Sequence, residues 1–121
     1  MKKTFHELCN DVRKNVKECT VKEVMEMKKN SEDFLLVDIR EDNEFEKGRI
    51  KDSVHIGKGI IERDIHMHVK DHDKKIVLYC GGGFRSLIAA ESLQKMGYSK
   101  VVSMNGGWRG WNAAGGETET G

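Results

Sequence analysis

Tyr79-Cys80-Gly81-Gly82-Gly83-Phe84-Arg85-Ser86 lies between an apolar run, Ile76-Val77-Leu78, and a stretch with helical spacing from Leu87 to Met96. The apolar run reads as a strand, so Cys80 stands at a strand's end and faces the start of a helix. A helix N-terminus presents unpaired N–H groups and a partial positive charge, and both favour an anion placed before it. A thiolate is such an anion, and it is the nucleophilic form of cysteine. Arg85 adds a cation to the same loop. The three glycines leave the backbone free to turn successive N–H groups inward, and they put no side chain between the sulfur and a small substrate. These residues describe an open anion cradle around a nucleophilic sulfur. A cysteine closing a buried strand can also be a small apolar side chain, but the triglycine would then only add entropy to be lost on folding.

The rest of the chain must position that loop. Its 121 residues suit one domain, and 37% hydrophobic residues plus 13 glycines give the apolar content of an ordinary globular protein. Lys and Arg number 21 against 20 Asp and Glu, a net +1, so no overall field would recruit nucleic acid or an acidic membrane. No apolar stretch approaches the roughly 18 residues of a membrane span, and Met1-Lys2-Lys3 runs into polar residues rather than a signal-peptide core. A cytoplasmic or comparably reducing setting is therefore expected. Cys9, Cys19 and Cys80 are an odd count without paired spacing, which argues against a disulfide framework or a zinc ribbon. His66, His68 and His72, with Asp71 and Asp73, read as a charged connection rather than a metal site, because histidines two apart fall on different sides of a helix.

Two capping boxes open the chain. Thr4-x-x-Glu7 precedes an amphipathic stretch to about Cys19, and Thr20-x-x-Glu23 precedes a helix from Val24 to Lys29. Phe34 to Ile39 is a nearly continuous apolar run, as in a strand buried on both faces of a parallel sheet. Glu41 to Lys47 predicts a short helix stopped by Gly48, residues 53–56 a weaker strand, and Gly59 to about Val69 another helix. Lys100 to Met104 predicts a further strand, and Gly106-Gly107-Trp108-Arg109-Gly110-Trp111 starts a last short helix. Trp108 and Trp111, three apart, read as packing residues. Strands alternating with helices predict an α/β layer structure around a mainly parallel sheet, with ligands held beyond the carboxyl ends of the strands. Cys80 lies there, and Asp38 and Arg40, which also end a strand, should share the rim. Asp38 is expected to support the loop by binding N–H groups.

With these elements placed, the chain resembles the single-domain rhodaneses, the thiosulfate or persulfide sulfurtransferases, over about Thr20 to Gly115. The resemblance rests on Leu36-Val37-Asp38-Ile39-Arg40-Glu41 with Glu44-Phe45 and Gly48-Arg49-Ile50, on the loop Cys80 to Arg85, and on Gly106-Gly107-Trp108 with Trp111. The family usually has Gly-His-Ile where Arg49 stands, and commonly a proline where Gly57 stands. The resemblance implies a rhodanese-like three-layer fold, a mainly parallel central sheet flanked by helices on both faces. It sets the rhodanese-like domain at 20–115 and leaves an N-terminal helical extension (1–19) outside it, while the Gly/Glu/Thr-only composition of the tail (116–121) predicts disorder there. It further implies that Cys80 takes a sulfane sulfur from thiosulfate or a persulfide donor, becomes a persulfide, and passes the sulfur to cyanide, a thiol or a protein thiol, without metal or organic cofactor. Arg85 would act with Cys80, while Gly81, Gly82, Gly83, Phe84 and Ser86 would form the cradle, with Lys58 and Arg63 as rim charges and Asp38 and Arg40 in support.

Two other readings compete. Phosphatases and arsenate reductases of related fold resemble Cys, five residues, then Arg, whereas four residues separate Cys80 from Arg85, a shorter ring suited to a smaller terminal group. A low-turnover persulfide carrier or partner-binding module is the third reading, prompted by the charged N-terminal segment outside the resemblance.

Overall fold

The computed structural model describes residues 2–121. Its centre is a five-stranded, wholly parallel sheet in the order β1-β6-β5-β2-β4, formed by β1 (Lys17–Cys19), β2 (Leu35–Asp38), β4 (Val54–His55), β5 (Ile76–Tyr79) and β6 (Val101–Met104). The helices are α1 (Phe5–Arg13), α2 (Val21–Lys29), α3 (Asp42–Lys47), α4 (Ile61–His68), α5 (Arg85–Lys95) and α6 (Gly107–Ala113), with one 3₁₀ turn at Lys58–Ile60. Strands β3 (Arg49–Ile50) and β7 (Thr118–Glu119) pair antiparallel in a small second sheet.

The side-chain alternation of β5 shows why helices cover both faces. Ile76, Leu78 and Cys80 join one buried cluster with Cys9 and Val12 of α1, Ile61 and Ile65 of α4, and Leu87 and Leu93 of α5. Val77 and Tyr79 join the other, with Val24 of α2 and Trp111 of α6. All four residues of β5 are fully buried, as a central parallel strand requires. The expected three-layer α/β architecture is thus present. Chain order reverses between β2 and β5: from β2 the chain moves outward to β4, then returns to lay β5 on the other side of β2. The loops that leave β2 and β5 therefore meet at the switch point, where α/β sheets open a crevice.

Three segments depart from expectation. The first helix, read as extending to about Cys19, is capped by Lys14, and Lys17–Cys19 instead becomes edge strand β1, in register with Val102, Ser103 and Met104. Pairing along the open edge of β6 overrides the helical pattern, and the Arg13 Nε to Glu18 Oε1 contact of 2.9 Å straps the turn between them. The helix expected from Gly59 begins as the 3₁₀ turn, and α4 proper runs from Ile61 to His68. The tail expected to be disordered carries β7. Arg49, where the resemblance would place histidine, holds it: its Nε is 3.4 Å from Glu119 Oε1, and its Nη2 donates to the Gly121 carbonyl at 3.2 Å.

Candidate active site

Cys80 leaves β5 directly into the glycine loop, and the loop is bound from behind by the start of α6. The Trp108 N–H donates to the Cys80 carbonyl at 2.8 Å, and the Arg109 N–H donates to the Gly81 carbonyl at 3.1 Å. This docking leaves no room for side chains. Gly107 has φ +54°, and a Cβ there would lie 2.3 Å from the Cys80 carbonyl oxygen. Gly83 has φ +96°, and its Cβ would lie 2.9 Å from the Gly106 nitrogen. Both positions demand glycine on conformation and on space.

The turn at Gly83 brings its N–H to Cys80 Sγ, 3.1 Å away. An N–H aimed at sulfur binds the anion better than the thiol. Ser86, in the first turn of α5, places its hydroxyl 3.6 Å from the same sulfur and shares a 2.7 Å hydrogen bond with Ser103 Oγ. Both serines are fully buried, so this hydroxyl pair forms a fixed polar floor beneath the sulfur. Ser103 was not singled out from sequence, although a serine within Val101-Val102-Ser103-Met104 is a polar break in an apolar strand.

Above this floor a cleft of about 260 Å³ is lined by Phe5, Cys80, Gly81, Gly82, Phe84, Arg85 and Arg109. Cys80 itself is only 1% exposed, so the sulfur is reached through a narrow mouth. Arg85 stands at the mouth with Nη2 3.8 Å from Glu44 Oε1, and both side chains are more than a third exposed. Arg109 comes from α6 and extends over the glycines: a Cβ at Gly82 would lie 3.3 Å from its Nη1, and one at Gly81 3.6 Å from its Nη2. The N-terminal helix supplies Phe5 and backs the loop. His6 meets the Phe84 ring edge-on with centroids 5.0 Å apart, and the Cys9 thiol lies 3.7 Å from the Phe84 carbonyl.

Of the residues expected at the site, Cys80, Gly81, Gly82, Phe84 and Arg85 line the cleft, with Gly83 and Ser86 directly behind the sulfur. Lys58 and Arg63 do not line it. Lys58 lies in the 3₁₀ turn after β4, its N–H bound to the Ile39 carbonyl, and Arg63 is paired with Asp64 at 2.7 Å. Asp38 and Arg40 lie on the same rim but face inward. Asp38 Oδ1 accepts the Arg40 N–H at 2.9 Å, its two oxygens bind the guanidinium at 2.7 to 3.1 Å, and Arg40 Nη2 also donates to the Gly48 carbonyl at 2.6 Å. Burial opposes the charge on Arg40, but the Asp38 carboxylate more than offsets it and holds the guanidinium above its ordinary pKa. Arg40 also lies over the Trp108 ring, 4.7 Å from its centroid, and so ties the β2 loop to α6. Arg109 and Phe5 were missed at the sequence level, because nothing local says that α6 and α1 reach the same cleft.

The other cysteines differ from Cys80. Cys9 is fully buried, and its thiol is pushed up from the ordinary value by that burial; Cys19 is pushed up to about 11, also chiefly by burial. All three are free thiols. A larger hollow of about 650 Å³, lined in part by Phe34, Leu35 and Trp111, lies toward the opposite ends of the strands and away from the sulfur.

Residues 20–114 match the model of the rhodanese-like domain. The chain belongs to that family. A protein of Allochromatium vinosum named sulfurtransferase is 37% identical over 82 residues, covering 68% of this chain and 75% of its own. The thiosulfate sulfurtransferase GlpE of Pseudoalteromonas translucida is 34% identical over 85 residues, covering 70% and 79%. Among solved structures, a Rhodopseudomonas palustris protein of unknown function, described as a possible tyrosine phosphatase, superposes with TM-score 0.86 at 29% identity over 98% of this chain and 96% of its own. The rhodanese-like fold and a sulfur-transfer role at family level follow from these likenesses. Among the described residues, no helix is long and apolar enough to cross a membrane.

Proposed function

We propose that this rhodanese-like chain is a sulfurtransferase that carries a sulfane sulfur on Cys80, from thiosulfate or a persulfide donor to cyanide or a thiol. The observation that carries the reading is the sulfur at the base of a small cleft, with the Gly83 N–H at 3.1 Å and two arginines at the rim. The Cys80 thiolate attacks the outer sulfur of thiosulfate. The S–S bond of the donor breaks, sulfite departs with the bonding pair, and Cys80 is left as a persulfide. Cyanide or an acceptor thiolate then attacks the terminal sulfur, and the Cys80 thiolate leaves with the electron pair. The Gly83 N–H and the N-terminus of α5 stabilise sulfur anion before and after each displacement. The cycle consumes no oxidant and needs no cofactor, and a reducing cytoplasm would keep the three thiols free.

Thiocyanate release from thiosulfate and cyanide tests this reading. Wild type turns over, and Cys80→Ser falls by at least about a thousandfold, as expected when a covalent nucleophile is removed. Equal rates in the two proteins overturn it.

A carrier reading has one observation in its favour: Phe5, at the cleft mouth, is 51% exposed and Leu8 on the same helix 41%, an apolar rim that suits a protein acceptor. Deleting the N-terminal residues would not test it cleanly, because Cys9, Val12 and Val16 belong to the core. Phe5→Ser with Leu8→Ser leaves that core intact. Unchanged thiosulfate kinetics with impaired transfer to a protein thiol would favour the carrier. The phosphatase description belongs to the Rhodopseudomonas protein; here four residues separate Cys80 from Arg85, and turnover of an aryl phosphate is expected to stay at background.

A further inference from the structure

Two cations border the cleft, and they are not equivalent. Arg85 comes from the loop itself, but its guanidinium lies 3.8 Å from Glu44 Oε1, so its charge is partly compensated. Arg109 is contributed by a different element, α6, and among the described residues it has no carboxylate within 4.0 Å. Its side chain is exposed, and its two terminal nitrogens pass over Gly81 and Gly82, close enough to Gly82 that a Cβ there would lie 3.3 Å from Nη1, while one at Gly81 would make ordinary contact with Nη2 at 3.6 Å. Gly82 thus gives passage to the guanidinium, while Gly83 serves the backbone turn. The main chain fixes the root of that side chain, because the Arg109 N–H is bound to the Gly81 carbonyl.

We propose that Arg109, rather than Arg85, is the principal anion-binding residue of the cleft, and that it selects small, doubly charged oxyanion donors such as thiosulfate. This identification of the donor class rests on the sulfur-transfer reading above. A guanidinium presents two parallel N–H donors to two oxygens of a sulfonate-like head, whereas an ammonium offers only a point charge. Held over the glycines, Arg109 orients that head outward and the donor's terminal sulfur inward to Cys80. When sulfite leaves, the same guanidinium stabilises its charge. Glu44 tunes the site from the other side, since it weakens the attraction that Arg85 would otherwise exert.

The test uses anion selectivity at Cys80, which can be read without any sulfur transfer. The full-length protein is alkylated with iodoacetate, an anion, and with iodoacetamide, its neutral counterpart, and the rate ratio at Cys80 is followed by peptide mass spectrometry. Taking the ratio cancels any change in the thiol itself. Arg109→Gln is expected to lower the iodoacetate to iodoacetamide ratio about fivefold to tenfold, as loss of one nearby, partly screened charge would do. Arg109→Lys should keep most of the ratio, Arg85→Gln should lower it less than Arg109→Gln, and Glu44→Gln should raise it. A ratio unchanged in Arg109→Gln, or lowered more by Arg85→Gln, overturns the assignment. Among the described residues Arg109 makes no side-chain hydrogen bond, so the Arg109 variants should melt as wild type does. With thiosulfate as donor, Arg109→Gln should raise KM about tenfold while kcat changes little, and the salt dependence of kcat/KM should flatten. Absence of turnover in wild type with thiosulfate would overturn the donor class assigned to Arg109, absence with both thiosulfate and a small-molecule persulfide would defeat the sulfur-transfer reading, and the alkylation ratio would still decide whether Arg109 binds anions.

Discussion

Strands β2 and β5 are neighbours and end at the same rim of the sheet, each followed within a few residues by an arginine. After β2, Asp38 and Arg40 are bound to each other: the carboxylate is fully buried, Arg40 is 3% exposed, and Nη2 of Arg40 also donates to the Gly48 carbonyl. After β5, Cys80 receives one N–H and a hydroxyl contact, and the nearby guanidiniums point across an open cleft. The same residue types, an ionisable group and an arginine two to five positions on, thus build a strut in one loop and a reactive site in the other. What separates them is unsatisfied capacity. A buried ion pair whose groups bind each other can hold shape but is closed to a ligand, whereas glycines, with no side chains to fill the gap, leave the second loop able to receive one.

That contrast can be broken at the strut. Asp38→Asn leaves Arg40 as a buried, incompletely paired charge, and loss of one partner of such a pair costs about 3–5 kcal/mol. Chemical denaturation should show that loss, and iodoacetamide reactivity of the folded fraction at Cys80 should persist. A mild stability change would mean that the pair is ornamental.

A smaller loss is expected where the two loops meet α6. Gly107→Ala places a methyl group 2.3 Å from the Cys80 carbonyl oxygen at a φ of +54°, and relief of that clash must shift the cysteine backbone. Destabilisation of roughly 1–3 kcal/mol is the usual range for such crowding, accompanied by a fall in sulfur uptake larger than the stability loss explains. Gly59→Ala, where a Cβ meets nothing within 4 Å, is the matched control.

The reactivity side is sharpened by ranking the thiols. Exposure alone places Cys19 first, at 8%, against 1% for Cys80 and 0% for Cys9. The cleft and the Gly83 N–H place Cys80 first, by about tenfold or more over Cys19 at neutral pH, because a thiol raised to about 11 offers very little thiolate there. Site-resolved alkylation with iodoacetamide decides between the two orders.

The smallest expected effect is a pH slope. Folding holds the Cys19 thiol at about 11 against an ordinary 9.0. Between those values the unfolded chain has released this proton and the folded chain has kept it, so stability is intact below pH 9 and falls as pH rises toward 11. The slope should be on the order of 1 kcal/mol per pH unit, and Cys19→Ala should flatten it.

Much of this arrangement was legible from sequence because its causes are local. Ile76 to Tyr79, the triglycine and the following helical run fix a strand, a turn and a helix in immediate succession, and that places Cys80 without long-range information. Asp38 and Arg40 were readable as rim residues for the same reason. What stayed hidden depends on which distant segments meet. Lys17–Cys19 shows its character only beside β6, Thr118–Glu119 only beside Arg49 and Ile50, and Arg109 only once α6 is docked on the loop. Lys58 and Arg63 lie outside the cleft lining on the same ground, since chain proximity to β4 did not decide which way the 3₁₀ turn and α4 would carry them.

The central claim, that Cys80 is the covalent carrier, is tested most directly by intact-protein mass spectrometry after brief exposure to thiosulfate, with wild type beside Cys80→Ser. The account predicts a gain of one sulfur atom in wild type alone, removed when cyanide is added. A gain of equal size in both proteins, or none in wild type with thiosulfate or a small-molecule persulfide, would contradict it.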